Sequence, residues 1–451
     1  MQACAGEDGP NFEGRATQGL QLCRLGAAHP PAYIYDYVAK QGRLVMKQWW
    51  WRSCMGMAGS SMVGMSAVAA EAPQESAPYI ETRYRYSNLH SDGKPKRGHA
   101  NTQRLQLGYL WAIGDGWSAY GEGIRTWSLF GRQYDDGSAR ITPYPAEADP
   151  ASTGITNAWV HYEKGDIAVR AGRQYVRIDN GRFFSNNPWR QNLQSFDGAH
   201  LTWKAWQGAQ LEYYWLGRVN RTVGVDFRDR DQRRWKLNAH LLHADQALAV
   251  GKLTAYGYFV RNDTVAANSV KTLGLRYTGT QELGQGGPTL AWTAEVARQY
   301  DYANNPARFS LGYHLLDATF GYKPLSARVG EEMLQGNGRN AVNVAYGAAR
   351  AFNGWVVAFR IPNSGLRERY VGLLGTVDVG RPVTWQVTYR HFRPVQGRAM
   401  LGDEVDAGVL VDLGRGFSVE AQYGDYRAHR HGVDERKFWL IGEYRYGKPP
   451  K

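Results

Sequence analysis

From Tyr79 onward, apolar and polar residues alternate with period two in segments of about ten residues, separated by turns. In "YIETRYRY", Ile80, Thr82, Tyr84 and Tyr86 share one face, opposite Glu81, Arg83 and Arg85. "RLQLGYLW" sets Leu105, Leu107, Tyr109 and Trp111 against Arg104, Gln106 and Gly108. "RWKLNAHL" sets Trp235, Leu237, Ala239 and Leu241 against Arg234, Lys236, Asn238 and His240. "VTWQVTYR" sets Val383, Trp385, Val387 and Tyr389 against Thr384, Gln386, Thr388 and Arg390. The apolar face often ends in an aromatic, as at Trp111, Trp203, Trp235, Trp385 and Tyr389, which is where a lipid-facing strand meets headgroups. A soluble sandwich turns its apolar face inward. Here the pattern predicts the reverse, with apolar residues outside and charged residues inside.

Strands are predicted over 79–89, 101–112, 117–128, 157–164, 166–174 and 197–205 in the first third. The next six cover 209–218, 234–243, 251–260, 270–279, 289–299 and 310–322. The last six cover 325–334, 367–377, 383–392, 404–413, 416–426 and 437–446. Eighteen is an even number, which lets both chain ends lie on one side of a membrane. Connections alternate: "GDG" is followed by the long 129–156, "EKGD" by 175–196, and "KAWQG" by 219–233. The stretch 335–366 is assigned to a long outer loop, because one more strand there would break the parity. The expected fold is all-β: a transmembrane antiparallel β-barrel of about 18 strands, with short periplasmic turns and long extracellular loops.

Composition agrees with this. The chain has 28 Tyr, 16 Trp and 53 Gly, which suits sheet and tight turns, and its mean hydropathy of −0.52 excludes a bundle of membrane helices. All three cysteines (Cys4, Cys23, Cys54) fall in the first 54 residues. "MKQWWWRSCMGMAGSSMVGMSAVAAEA" has the charged, apolar and A-x-A order of a secretory signal. Residues 46–69 are therefore expected to be a signal peptide, 1–45 a non-native upstream extension, and 70–451 the barrel. The part from Ala70 onward holds 48 basic and 37 acidic residues, a net +11, which points to an acidic partner. Export makes nucleic acid the least suitable of these.

Between two strands lies "AGRQYVRIDNGRFFSNNPWRQNLQSFDGAHLTW", 171–203, with four arginines. Its "GRQ", its arginine-bearing polar loop and its "FDGxxLxW" re-entry resemble the alginate-export family of outer-membrane barrels. "FNGW" at 352–355, "GLRERYVGL" at 365–373 and "LGDEVDAGV" at 401–409 resemble the same family, in order along the chain. The resemblance implies an eighteen-stranded barrel in the outer membrane of a Gram-negative bacterium. It also implies an arginine-lined lumen that passes an acidic polysaccharide outward. By position, its residues are Arg173, Arg177, Asp179 and Arg182, together with Glu404 and Asp406. The ending "YRYGKPPK" departs from the family's aromatic terminus.

Alternation by itself turns Arg83, Arg85, Arg104, Arg170, Arg218, Arg234, Arg276, Arg328, Arg390 and Arg445 toward the lumen, with Lys204, Lys236 and Lys252. Guanidinium groups suit a polyuronate because they stay charged and bind carboxylates bidentately. Neutralising ion pairs, as in any porin interior, explain the same arginines equally well. Strict alternation sends Arg173 and Arg177 to lipid, so they belong either on a bulge at a constriction or on the outer rim. Glu331 and Glu332 point to opposite faces and cannot serve as a glycosidase pair. His429 and His431 read as outer-loop residues, and no metal, cofactor or enzyme motif is expected. The expected partners are acidic polysaccharide, outer-membrane lipid and periplasmic export components. The rival expectation is an uptake porin for small anions, with a loop such as 335–366 folded inward as its constriction.

Overall fold

The computed structural model describes residues 75–138, 142–397, 400–429, 432–448 and 450. The expected signal peptide, the upstream extension and His431 lie outside the described residues. The first six strands are β1 (Ala77–Ser91), β2 (Gly98–Gly114), β3 (Trp117–Ser128), β4 (Ser152–Lys164), β5 (Ile167–Gln174) and β6 (Ser195–Trp206). They are followed by β7 (Ala209–Asn220), β8 (Arg234–Ala247), β9 (Lys252–Asn262), β10 (Val270–Glu282), β11 (Thr289–Asp301) and β12 (Ser310–Tyr322). The last six are β13 (Leu325–Gln335), β14 (Gly365–Asp378), β15 (Pro382–Arg393), β16 (Gly402–Gly414), β17 (Phe417–Ala428) and β18 (Glu435–Tyr446). Every expected strand is present, and 336–364 is a loop.

Each strand pairs antiparallel with its sequence neighbours, and β1 pairs with β18 from Ile80↔Tyr446 to Ser91↔Glu435. The sheet is thus a closed barrel without edges, as lipid requires of a spanning sheet. Short periplasmic turns lie at 115–116, 165–166, 207–208, 248–251, 283–288, 323–324, 379–381 and 415–416. The tightest need left-handed backbone: Asp115 and Gly116 have φ of 51° and 84°, and Arg415 and Gly416 have 55° and 86°. The longest extracellular connections are 129–151, 175–194 and 336–364.

Outward residues such as Leu107, Trp111, Trp203, Val296, Val329 and Leu373 are exposed, as a lipid-facing wall demands. One strand corrects the expected orientation. On β8, Trp235, Leu237, Ala239 and Leu241 are buried and face inward, while Arg234 and Lys236 are exposed on the outside. Arg218 is likewise outside, because a bulge between Leu216 and Arg218 shifts the alternation of β7. The physical reason lies in the lumen. An apolar core there joins Val176, Ile178, Phe183 and Phe184 of loop 175–194 to Val342, Tyr346 and Val356 of loop 336–364. The inner faces of β7, β8 and β9 close around this core and are apolar for that reason.

Candidate functional site: the inward loops and the cavity beneath them

Three extracellular loops fold into the barrel, and the inward arginines hold them there. Arg83 donates from Nε to Gln191 Oε1 at 3.1 Å and from its two Nη atoms to the carbonyls of Pro188, Trp189 and Arg190. Arg85 donates to the Trp189 carbonyl at 3.0 Å and pairs with Glu147, at 3.1 Å, and Asp149 of loop 129–151. Arg104 pairs with Glu81 and reaches the Arg190 carbonyl at 3.1 Å. All three are buried, so their charges are spent on loop carbonyls and carboxylates. Burial opposes ionisation of Asp149, but Arg85 and Arg190 outweigh it and hold its pKa below the ordinary carboxylate range.

Loops 175–194 and 336–364 are hydrogen-bonded to each other. Ser185 N donates to the Tyr346 carbonyl at 3.0 Å, and Ala348 N donates to the Gly181 carbonyl at 3.0 Å. The Phe184 and Tyr346 rings stack at 5.5 Å. Gly347 is needed at this contact, since a Cβ there would collide with the Arg182 carbonyl. Arg182, fully buried, donates to Glu332 Oε2 of β13 at 2.7 Å and to Asn353 Oδ1 at 3.0 Å. Its guanidinium also lies 4.6 Å over the Phe352 ring.

The "FNGW" and "GDEVDAG" segments, about fifty residues apart, meet in space. Val356 N donates to Glu404 Oε1 at 2.8 Å, and Trp355 N to Asp406 Oδ1 at 3.3 Å. Gly354 has φ of 77° and sits where a side chain would strike the Glu404 carboxylate. Arg390 completes the cluster, binding Asp406 Oδ2 at 2.8 Å and pairing with Glu368. Glu404 and Asp406 therefore seat a loop instead of lining open water.

A second anchor was not legible in the sequence. Arg350 is caged by three indoles, with its guanidinium 3.4 Å from the Trp189 ring, 4.3 Å from Trp439 and 5.0 Å from Trp355. It also donates to Gln422 Oε1 at 2.6 Å. Burial pulls its pKa down to about 9. The only available signal was its place two residues before "FNGW".

Beneath the loops lies a polar cavity of about 250 Å³. Its roof is Arg177, Ile178 and Asp179 of loop 175–194, and its walls include Glu212, His243, Lys252 and Arg276 from β7 to β10. Glu212, His243 and Lys252 lie near the periplasmic ends of their strands. Lys252 Nζ pairs with Asp245 Oδ2 at 2.7 Å, and Arg276 pairs with Glu295. Asp179 Oδ2 lies 3.2 Å from His243 Nε2. Burial raises the Asp179 pKa, but the hydrogen bond and charge of His243, with Arg276 and Lys252, lower it overall. Arg177 keeps solvent contact inside the barrel, and desolvation draws its pKa below the usual guanidinium value.

The remaining expected residues divide. Arg170 faces inward on β5, 4.3 Å from the Trp159 ring. Arg173 is on the outer wall, gripping Asp197 through Nε at 2.7 Å and Nη2 at 3.0 Å, with Arg218 beside it at 3.3 Å. The register runs unbroken through Gly172, so no bulge turns Arg173 to a constriction. Arg234, expected in the lumen, is on the outside near the extracellular end of β8. Among the described residues, no group of three or more His, Cys, Asp or Glu is arranged to hold a metal ion.

Residues 80–435 match the family model for alginate export. No curated protein matches the chain. Of solved structures, OpdQ of Pseudomonas aeruginosa superposes with TM-score 0.63 at 14% identity, covering 83% of this chain and 99% of that one. OccAB4 of Acinetobacter baumannii gives TM-score 0.63 at 14% identity, over 84% of this chain and 100% of its own. OpdK of Pseudomonas aeruginosa, solved with vanillate, gives 0.63 at 13% identity, over 82% and 98%. At such identities the likeness shows the fold.

Proposed function

Because the chain belongs to the alginate-export family, we propose that this outer-membrane channel passes an anionic polysaccharide of uronate type outward. The observation that carries the reading is the cavity under the loops, where Arg177, Lys252 and Arg276 stand among carboxylates in the periplasmic half of β7–β10. A polymer delivered by periplasmic export components would meet this cavity first. Cations attract its carboxylates, and the neighbouring Asp179, Glu212 and Asp245 keep binding weak enough for release. Arg170 extends the basic surface from β5. The paired and buried Arg83, Arg85, Arg104, Arg182 and Arg390 act mainly as anchors and as a fixed positive field behind the loops. Loops 175–194 and 336–364 are then the gate, which must shift before a chain can pass.

A second reading has its own support. Loop 336–364 is folded inward, as a constriction for small solutes would be, and the OpdK structure holds vanillate, a small carboxylate. Uptake of small anions is therefore the alternative.

The two part in a planar bilayer. Polymer export is expected to give anion-selective conductance that polyuronate blocks from the periplasmic face, with Arg177→Ala weakening the block. Block by a monomeric uronate alone, equal from both faces, would assign the channel to small anions. Conductance without anion preference would remove both readings.

A further inference from the structure

The outer wall carries an apolar groove of about 700 Å³ across β11–β15. Small outward residues, Ala294 and Ala318, make its floor, between Trp292, Leu316 and Val329. Register explains the depression: Ala318 is the cross-strand partner of both Trp292 and Val329. At its extracellular end the groove meets Glu331, Arg369 and His391.

That end is unusually cationic for a wall facing lipid. Arg367 and Arg393 are direct cross-strand partners near the extracellular ends of β14 and β15. Like charges set opposite one another in a sheet destabilise it unless an anion lies between them. Glu331 takes Arg369 Nε at 2.5 Å and His314 Nε2 at 3.1 Å, leaving Arg367 at 3.9 Å. Arg393 donates its Nε to His391 Nε2 at 2.7 Å, not to a carboxylate. Asp403, the next carboxylate, is committed to His391, His429 and Tyr389. Arg367 and Arg369 thus share the Glu331 carboxylate while Arg393 meets a histidine ring, and the Arg367 and Arg369 side chains are 41% and 61% exposed.

We propose that this wall is a binding site for a phosphorylated glycolipid of the outer leaflet, its phosphate on Arg367, Arg369 and Arg393 and an acyl chain in the groove. Arginine forks match phosphate oxygens bidentately, and the apolar floor takes a chain that would otherwise pack against an uneven wall. Charge favours this lipid class over a zwitterionic phospholipid, whose ammonium group would be brought to the same arginines. The site lies outside the lumen, so it stands whatever the channel carries.

The test is lipid retention by the full barrel in detergent, read by native mass spectrometry. The added probes are diphosphorylated lipid A, the same lipid dephosphorylated, and phosphatidylethanolamine. The unmodified barrel is expected to keep the phosphorylated probe at least about ten-fold better than the other two, the scale of one lost charge-assisted contact. The Arg367→Gln/Arg393→Gln pair is expected to lose that preference. Ala318→Trp, which fills the groove, is expected to weaken retention of all three probes. Heat-dependent gel mobility reports whether each variant is folded. Equal retention of the phosphorylated and dephosphorylated probes by the unmodified barrel would overturn the proposal, even if no variant folds. Undiminished preference in the folded double variant would do the same.

Discussion

The inner faces of β1 and β8 carry opposite chemistry in one barrel. β1 presents Arg83 and Arg85, which bind the carbonyls and carboxylates of loops 129–151 and 175–194. β8 presents Trp235, Leu237, Ala239 and Leu241 to the apolar side of loops 175–194 and 336–364. What a lumen wall must be is therefore decided by what it touches. Where the loops show carbonyls, the wall supplies guanidiniums, because a buried acceptor without a donor is costly. Where they show Phe183, Phe184 and Tyr346, it supplies hydrocarbon.

The most damaging way to break the polar side is Arg182→Ala. It strands Glu332 in the interior without its partner, a loss on the order of 3–5 kcal/mol for a buried pair. The barrel wall should survive while loops 175–194 and 336–364 part, so single-channel conductance is expected to rise several-fold. Unaltered conductance in the folded variant would deny the loops their blocking role.

Arg350→Ala comes next, removing a cation from three indoles at a cost of about 2 kcal/mol. Limited proteolysis from the extracellular side is expected to cut within 336–364 faster than in the parent. Arg350→Lys should restore only part of the protection, since a lysine lacks the flat guanidinium that stacks.

Acid probes the loop 129–151 anchor. The Asp149 pKa is depressed in the folded barrel, so its contribution is complete above the ordinary value of about 3.9 and is lost as pH falls through the depressed one. Conductance is expected to stay flat from neutral pH to about 5 and to rise only below about 4. A rise already complete at pH 6 would implicate other groups. Asp149→Asn should bring the acid-open behaviour to neutral pH.

The smallest effect belongs to Arg234→Ala. The side chain is outside and exposed, so stability should move by no more than about 0.5 kcal/mol and anion selectivity not at all. A measurable selectivity change would put Arg234 back in the pathway and upset the orientation of β8.

Much of the fold was legible in the residues. Period-two alternation, aromatic ends and short turns such as the one at Asp115–Gly116 marked the eighteen strands along the chain, because each of these signals is local. Alternation also separated the two faces of nearly every strand. It could not say which face looks inward on β8, since lipid and an apolar loop both select hydrocarbon and leave the same pattern. Nor could it show that Arg83, Arg85, Arg104 and Arg390 are already engaged, because their partners lie in distant loops or across the wall. The strands were written in the sequence one by one. Only the closed barrel, by bringing three distant loops into one space, decided which charges are anchors and which, like Arg177, are left facing the cavity.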